Sequence, residues 1–196
     1  MSTIISRISY LRELRRELLN YKGNALREFY YLEPEDLEQR SAANKWSIID
    51  VFEHLNLVNY FYIKSFEQGL ENAPDATDDR FSHSWLGKKS IQSMRPDQKG
   101  NIRKIPTFRK INPLYHQKKG RVLVAQVVFQ DFIESMEQLI ALAEKMEDKA
   151  IQSVNVKTLL PFIKLPLGDA LGFITAHTQR HIVQAQKLAA DIRAKQ

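Results

Sequence analysis

Apolar residues recur every three or four positions along four long segments of this 196-residue chain. This spacing keeps one face of an α-helix apolar. In the first segment, Ile8, Leu11 and Leu18 share such a face, while arginines and glutamates occupy the other. The pattern predicts helices from about Ser6 to Tyr21, with an extension to Phe29 if Gly23 does not end it, from Ser47 to about Asn72, from about Arg121 to Met146, and from about Gly168 to Ala194.

The second of these helices has the clearest start. Ser47 can cap it, and Asp50 stands three residues later, which is the pattern of a capping box. Trp46 precedes the cap and is expected to cover the helix entrance. His54 shares the apolar stripe with Leu55, so its imidazole is predicted to face the interior.

The segments between these helices are polar or interrupted by proline. Residues 33–44 are predicted to form a simple connection, and residues 74–120 a much longer one that includes a short helix at about residues 85–94. No segment has the alternation of a convincing strand, and no repeat is visible. The sequence therefore predicts an all-α four-helix bundle whose long connection between helices two and three can cross over the bundle, in one domain at residues 1–196.

Composition narrows the chemistry that this chain can perform. It contains no cysteine, which excludes disulfides, thiolate nucleophiles and cysteine-containing metal sites, so any metal must use His, Asp or Glu. Residues 1–10 lack a secretory signal, and no apolar run approaches the roughly 18 residues of a membrane span. We therefore expect a cytoplasmic protein without a membrane partner.

The net charge of +6 is concentrated in one part of the chain. Residues 85–121, here called the basic segment, contain eleven Lys or Arg and a single acidic residue, whereas the rest of the chain has 18 basic and 22 acidic residues. Three interpretations are open. The segment is a solvated loop, which the lack of a recognised nucleic-acid motif favours, or it binds nucleic acid through its charges and interspersed aromatic rings, or it attracts an anionic substrate or thiol cofactor to a metal.

The last helix carries two histidines four residues apart. His177 and His181 are about 40° apart around the helix axis and one turn apart along it, so both imidazoles can bind one metal ion. His54 is the candidate third ligand, and three ligands leave one coordination position open. Such a site suits zinc or nickel better than calcium or magnesium. The alternative is three buried core histidines with hydrogen-bond partners. His83 and His116 are expected to be exposed, unless the connection folds over the open position.

Two stretches of the chain resemble one known family. The sequence WSIIDVFEHL at residues 46–55 resembles the helix-two signature of the DinB-like superfamily, which includes the YfiT-like metal-dependent hydrolases. The sequence HTQRHIVQ at residues 177–184 is similar to the last-helix signature of the same family. Their order and spacing agree, and the likeness covers most of the chain except its variable middle. No family substrate contact can be matched in the basic segment.

This resemblance implies a four-helix bundle, often dimeric, with a divalent metal that is nickel or zinc in many members. The metal is held by three histidines, which correspond to His54, His177 and His181. Characterised members catalyse thiol-dependent S-transfer or mycothiol-dependent isomerisation, and others are called hydrolases. We therefore expect a homodimeric metal-dependent hydrolase or thiol-dependent transferase that acts on a small molecule through a water or thiolate at the metal. A low-molecular-weight thiol would have to come from outside this cysteine-free chain.

Three further residues could act close to the metal. Asp50 lies one turn before His54 and could accept its second ring N–H, although the capping box is the simpler role. Gln184 could orient His181 or satisfy the core, and Arg180 is expected to pair with an acid elsewhere. Two alternatives to an enzyme stay open, namely a nucleic-acid or anion-binding module that uses the basic segment, and a protein whose metal is purely structural in a closed shell of four ligands.

Overall fold

The computed structural model describes residues 3–194, so the two residues at each end of the predicted domain lie outside the described residues. Its helices are α1 (Arg7–Phe29), α2 (Pro34–Glu38), α3 (Ile48–Glu71), α4 (Trp85–Met94), α5 (Pro113–Lys118), α6 (Ala125–Lys145) and α7 (Leu167–Arg193), with 3₁₀ turns at Arg109–Ile111 and Met146–Asp148. Its strands are β1 (Ile4–Ser6), β2 (Arg80–Ser82), β3 (Asn155–Lys157) and β4 (Lys164–Pro166). The all-α class is confirmed. Between residues 3 and 194, none of the helices combines the length and apolarity needed to cross a lipid bilayer.

The predicted absence of strands is wrong. Strand β1 pairs with β2 in antiparallel register, with Ile5 opposite Phe81, and β3 pairs with β4, with Val156 opposite Leu165. Each strand has only three residues, which is too short for an alternating pattern to stand out in the sequence. Only the middle residues Phe81, Val156 and Leu165 are buried within their strands. The pairing therefore fastens loop ends to the bundle without building a sheet core.

The helix starts follow from local sequence at most positions. The Ser47 hydroxyl accepts from the Asp50 N–H at 3.3 Å, and the Asp50 carboxylate accepts from the Ser47 N–H at 2.8 Å, so the predicted capping box is formed. Helix α6 is the exception, because it begins at Ala125 and not at the predicted Arg121. Val122 is 83% exposed, and β-branched residues without burial favour extended backbone. The expected connection at residues 33–44 contains the short helix α2.

Helices α3 and α6 run parallel, which requires the long connection to cross the bundle. The side-chain amide of Asn56 donates to the Val128 carbonyl at 2.8 Å, and that of Asn59 donates to the Ser135 hydroxyl at 2.9 Å. Residue numbers therefore rise together along the two contacting helices. Since α3 ends at the far end of the bundle from the start of α6, residues 72–124 must return along its length. The predicted crossover is confirmed.

Helix α7 packs against α3 in the opposite direction. The rings of Tyr62 on α3 and Phe173 on α7 lie 5.7 Å apart, whereas His54, earlier on α3, lies beside His177, later on α7. On its other side, α3 is fixed by Phe52, whose ring lies 4.8 Å from that of Phe132 on α6. Full burial of such a side chain contributes roughly 1.5–3 kcal/mol. The core contacts therefore set the rotation of α3 that turns His54 towards α7.

The buried carboxylate of Asp169 ties the start of the crossover to α7. It accepts from the His83 ring nitrogen at 2.7 Å, from the Ser84 N–H at 2.9 Å and from the Ser84 hydroxyl at 2.7 Å. His83 is thus half-buried against α7, not exposed as expected. Gly87 faces the same carboxylate so closely that an added Cβ would collide with it. Asp169 therefore fastens the start of helix α4 to α7.

We expect Asp169→Ala to lower the free energy of unfolding by about 3 kcal/mol, because the mutation removes the acceptor of three hydrogen bonds at a buried position. Urea denaturation followed by circular dichroism measures this change. The matched control is Asp191→Ala on the exposed end of the same helix, expected within about 0.5 kcal/mol of the wild type. Equal effects of the two substitutions would show that the Asp169 contacts do not anchor α4.

Candidate metal centre

Three histidines from two helices meet at one point inside the bundle. His54 on α3 and His177 and His181 on α7 each present a ring nitrogen, and these atoms all lie within 4.8 Å of one another. The Nε2 atoms of His54 and His177 are 3.2 Å apart. Two ligands of a tetrahedral zinc ion, each at about 2.0–2.1 Å, are separated by roughly 3.3 Å. The spacing of this pair therefore fits one shared divalent ion.

Hydrogen bonds fix the tautomers of two of these imidazoles. His54 Nδ1 lies 2.7 Å from the Ile111 carbonyl, and His181 Nδ1 lies 2.9 Å from the Gln184 side-chain oxygen. Both partners are acceptors, so each Nδ1 carries the proton and donates. Nε2 is left as the nitrogen available to a metal in both rings. This is the arrangement that orients ligating histidines in metal sites.

The third imidazole, that of His177, is only partly satisfied by the described residues. His177 Nδ1 is buried and has no hydrogen-bond partner among the described residues. Its Nε2 faces the Nε2 of His54, which carries no proton. If His177 donates to His54, its Nδ1 lone pair is left buried and unpaired. If it is protonated at Nδ1, two lone pairs face each other and the N–H is unpaired. A cation between the rings removes the repulsion between the two Nε2 atoms.

All three imidazoles are neutral at pH 7. Burial lowers the pKa of His54 to about 4, and the hydrogen bond to Ile111 opposes this only in part. Burial, and then the neighbouring His54, lower the pKa of His177 well below its usual range. The pKa of His181 is likewise lowered by burial and by His177. Neutral imidazole is the form that binds metals, so the donor set is ready at neutral pH.

A cavity of about 570 Å³ opens beside the three histidines and includes them in its wall. The other lining residues come mainly from α3, α4, α7, residues 102–111 and the β3–β4 hairpin. Trp46 also belongs to the wall, with its ring centroid 4.9 Å from that of His54 and 6.2 Å from that of His181. The sequence placed Trp46 at the helix entrance without linking it to the histidines. No acidic side chain of the described residues lines the cavity.

The basic segment forms one side of this site. Its residues 102–108 line the cavity, and Ile111 provides the carbonyl that orients His54. Within the segment, Arg95 pairs with Glu17 at 2.6 Å, and at its last residue Arg121 pairs with Glu53 at 2.7 Å. The crossover thus brings the segment to the histidines, a position that charge and composition alone did not indicate.

Asp50 is not directed at His54. Its carboxylate accepts from Arg40 Nε at 2.8 Å, from Arg40 Nη2 at 2.9 Å and from the Gln117 side-chain amide at 2.6 Å, besides forming the capping box. The second ring N–H of His54 goes to Ile111 instead. The sequence could not show this, because Arg40 and Gln117 reach Asp50 from two separate connections. Asp50 acts on the position of α3 and not directly on the imidazole.

Arg180 differs from its expected role, because no acidic partner is found among the described residues. One nitrogen, Nη2, donates to the Arg103 carbonyl, and Nη1 is buried without a partner among residues 3–194. Burial lowers the pKa of the Arg180 guanidinium. The residue is 6% exposed and belongs to the cavity wall.

His116 is half-buried at the surface, where its Nε2 bonds the Lys110 carbonyl and not the histidine cluster.

The metal-free protein should lose stability as the pH falls from about 6.5 to 4. The folded-state pKa of His54 is about 4 and the ordinary value is 6.5, so only the unfolded chain takes up a proton in this window, and unfolding becomes more favourable. At pH 5 we expect a loss of about 2 kcal/mol from this residue. Urea denaturation of chelator-treated protein at pH 7 and pH 5 measures it. The His54→Gln variant should lose about 2 kcal/mol less, and an unchanged loss would contradict the assignment.

The sequence matches the model of the DinB superfamily over residues 10–185. The matched range contains the three histidines, Trp46 and Gln184. Comparisons with curated proteins and with solved structures gave no match. Because the family match covers most of the chain and agrees with the helical fold described above, this protein belongs to the DinB superfamily.

Proposed function

We propose that His54, His177 and His181 bind one zinc or nickel ion and that the protein is a metal-dependent enzyme acting on a small molecule. The observation that carries this proposal is the convergence of three buried, neutral imidazoles, one of which has a ring nitrogen without a hydrogen-bond partner among the described residues. When bound, the ion supplies Lewis acidity, which brings the pKa of a water or thiol ligand towards neutrality.

An accessible site is a better proposal than a closed structural one. No fourth histidine or acidic side chain joins the group within the described part of the chain, and all three imidazoles line a cavity. A structural zinc site would use four protein ligands, whereas a catalytic site keeps a position for water or substrate. The cavity volume falls within the range of about 300–1,000 Å³ found for small-molecule sites. These features support a catalytic role.

Residues of the chain itself would prepare the site. The Ile111 carbonyl and Gln184 hold two imidazoles in the ligating tautomer. Trp46 and Phe173 pack against the histidine rings, and such apolar surroundings strengthen electrostatic interactions. Burial raises the pKa of Tyr62, so its hydroxyl stays protonated and is not a general base at neutral pH.

Hydrolysis and thiol S-transfer both fit the proposed site, and they differ in the nucleophile. Hydrolysis needs only water, whereas S-transfer needs a thiol from outside, because the chain contains no cysteine. We expect zinc- or nickel-loaded protein either to hydrolyse p-nitrophenyl esters or to join glutathione or cysteine to 1-chloro-2,4-dinitrobenzene. The His54→Ala variant should lose the activity, because it lacks one ligand. If the metal-loaded wild type is no more active than His54→Ala in either assay, the proposal that the protein catalyses these reactions is contradicted.

The metal itself is tested by elemental analysis of purified protein. We expect about one divalent ion per chain in the wild type and a large loss in His177→Ala, because two imidazoles hold the ion less well than three. His116→Ala is the matched control, since it removes a histidine that bonds a carbonyl in the connection. Its metal content should be unchanged. The metal site would be contradicted if the wild-type protein binds neither zinc nor nickel and its thermal stability does not change when chelator is added.

Gln184→Ala should weaken zinc binding by about 10- to 100-fold, because it removes the acceptor that orients His181. Competition with a chromophoric chelator measures the dissociation constant. Gln186→Ala is the control on the same helix, because Gln186 bonds Glu28 on α1 and not a histidine. Equal zinc affinities in these two variants would show that Gln184 does not support the site.

A further inference from the structure

The cavity wall has an excess of positive charge. Arg103, Lys104 and Arg180 belong to the wall, and no aspartate or glutamate among the described residues does. The three histidines are neutral, so a divalent ion bound there would add two further positive charges without a carboxylate beside it. Charges removed from water are stable only when paired or hydrogen bonded. The missing negative charge must therefore come from solvent anions or from a ligand.

Arg180 is the cation most suited to meet that ligand. Its side chain is 6% exposed, one nitrogen is engaged by the Arg103 carbonyl, and Nη1 is buried without a partner among residues 3–194. Arg103 and Lys104 are exposed at the surface, where water satisfies their charges. A guanidinium has donors arranged as a fork that matches a carboxylate. Arg180 and the three histidines line the same cavity, so a group bound by Arg180 shares that cavity with the histidine cluster.

The remainder of the wall is largely apolar. Val58 from α3, Phe173 from α7 and Leu165 from β4 contribute to it, together with Ile102 and Ile105 of the basic segment. A hydrophilic ligand would leave these surfaces unused, because burial of apolar area is the main favourable contribution in such cavities. The wall fits a molecule that carries its charge at one end only.

We propose that the cavity binds an organic anion with an apolar body, whose carboxylate is held by Arg180 and whose reacting group faces the three histidines. The placement of the reacting group at the histidines rests on the proposed function, because a metal there would make that end of the cavity reactive. The binding of the anion itself depends on Arg180 and the apolar wall alone.

The test compares octanoate with octan-1-ol, which has the same chain length and no charge. Isothermal titration calorimetry is performed on zinc-loaded protein and, separately, on protein stripped of metal, so that a carboxylate bound only by zinc is recognised. An apolar cavity without a functional cation would prefer the alcohol, because burial of an unpaired carboxylate is unfavourable. We expect octanoate to bind at least 10-fold more tightly than octan-1-ol in both forms.

Arg180→Met should weaken octanoate binding by about 10- to 100-fold and leave octan-1-ol unchanged, because it removes only the charged hydrogen bonds. Arg180→Lys keeps the positive charge but lacks the forked donors, so its affinity for octanoate should lie between those of the wild type and Arg180→Met. Lys64→Met is the control, because Lys64 is exposed on α3, where it contacts Tyr60 outside the cavity wall. Circular dichroism verifies folding, and if Arg180→Met is unfolded, Arg180→Lys and the wild-type preference between the two ligands decide.

Preference for octan-1-ol, or equal octanoate affinity in wild type and a folded Arg180→Met, would overturn the inference. Octanoate binding to zinc-loaded protein only would assign the anion to the metal and also overturn it. A separate titration with zinc alone distinguishes the two proposals. If zinc does not bind but metal-free protein selects octanoate through Arg180, the metal-dependent function fails and the anion site stands. If zinc binds and octanoate is not selected, only the anion site fails.

Discussion

The burial of three neutral imidazoles between α3 and α7 is the constraint on which this structure depends. His54, His177 and His181 are each less than 10% exposed, so their polar nitrogens need partners from inside the protein. Ile111 and Gln184 satisfy two of the six ring nitrogens directly. Of the other four, one nitrogen of each ring lies within 4.8 Å of the same kind of atom on the other two rings, and His177 Nδ1 has no partner among the described residues. A bundle with this interior gains stability from any cation that the rings can share.

The crossover connection is part of the site as well as a link between helices. Its start is fastened to α7 through Asp169, its middle passes over the histidines, and Gln117 near its end bonds Asp50 on α3. Long loops in compact domains are commonly functional. Here the loop encloses the cavity by contacts at three points along its length, so the positions of its wall residues follow from the fold of the whole bundle.

Buried charged groups outside the cavity have partners of opposite charge, whereas Arg180 in the cavity wall does not have one among the described residues. The buried carboxylate of Asp50 has Arg40 as its partner, and that of Glu53 has Arg121. Burial raises the pKa of Glu53, while Arg121 opposes this effect. At the cavity, Arg180 is enclosed without an acidic partner among the described residues. Asp50 and Glu53 therefore form structural ion pairs outside the cavity. Arg180, which has no such partner between residues 3 and 194, is the charged residue at the cavity that a ligand could pair with.

The sequence by itself determined the long helices, the capping box at Ser47 and the spacing of His177 and His181, because each depends on residues within a few turns of one helix. Its resemblance to the DinB superfamily also identified His54 as the third histidine of the cluster. Only the tertiary structure decided what surrounds them: the crossover brings the Ile111 carbonyl to His54, the two helices bring the Trp46 ring close to His181, and Arg180 is buried without an acidic partner among the described residues. Short strands were missed for the same reason, since three residues pair only when the bundle brings their partners into reach. Local periodicity reports a helix and its faces, whereas contacts between segments depend on how the whole chain packs.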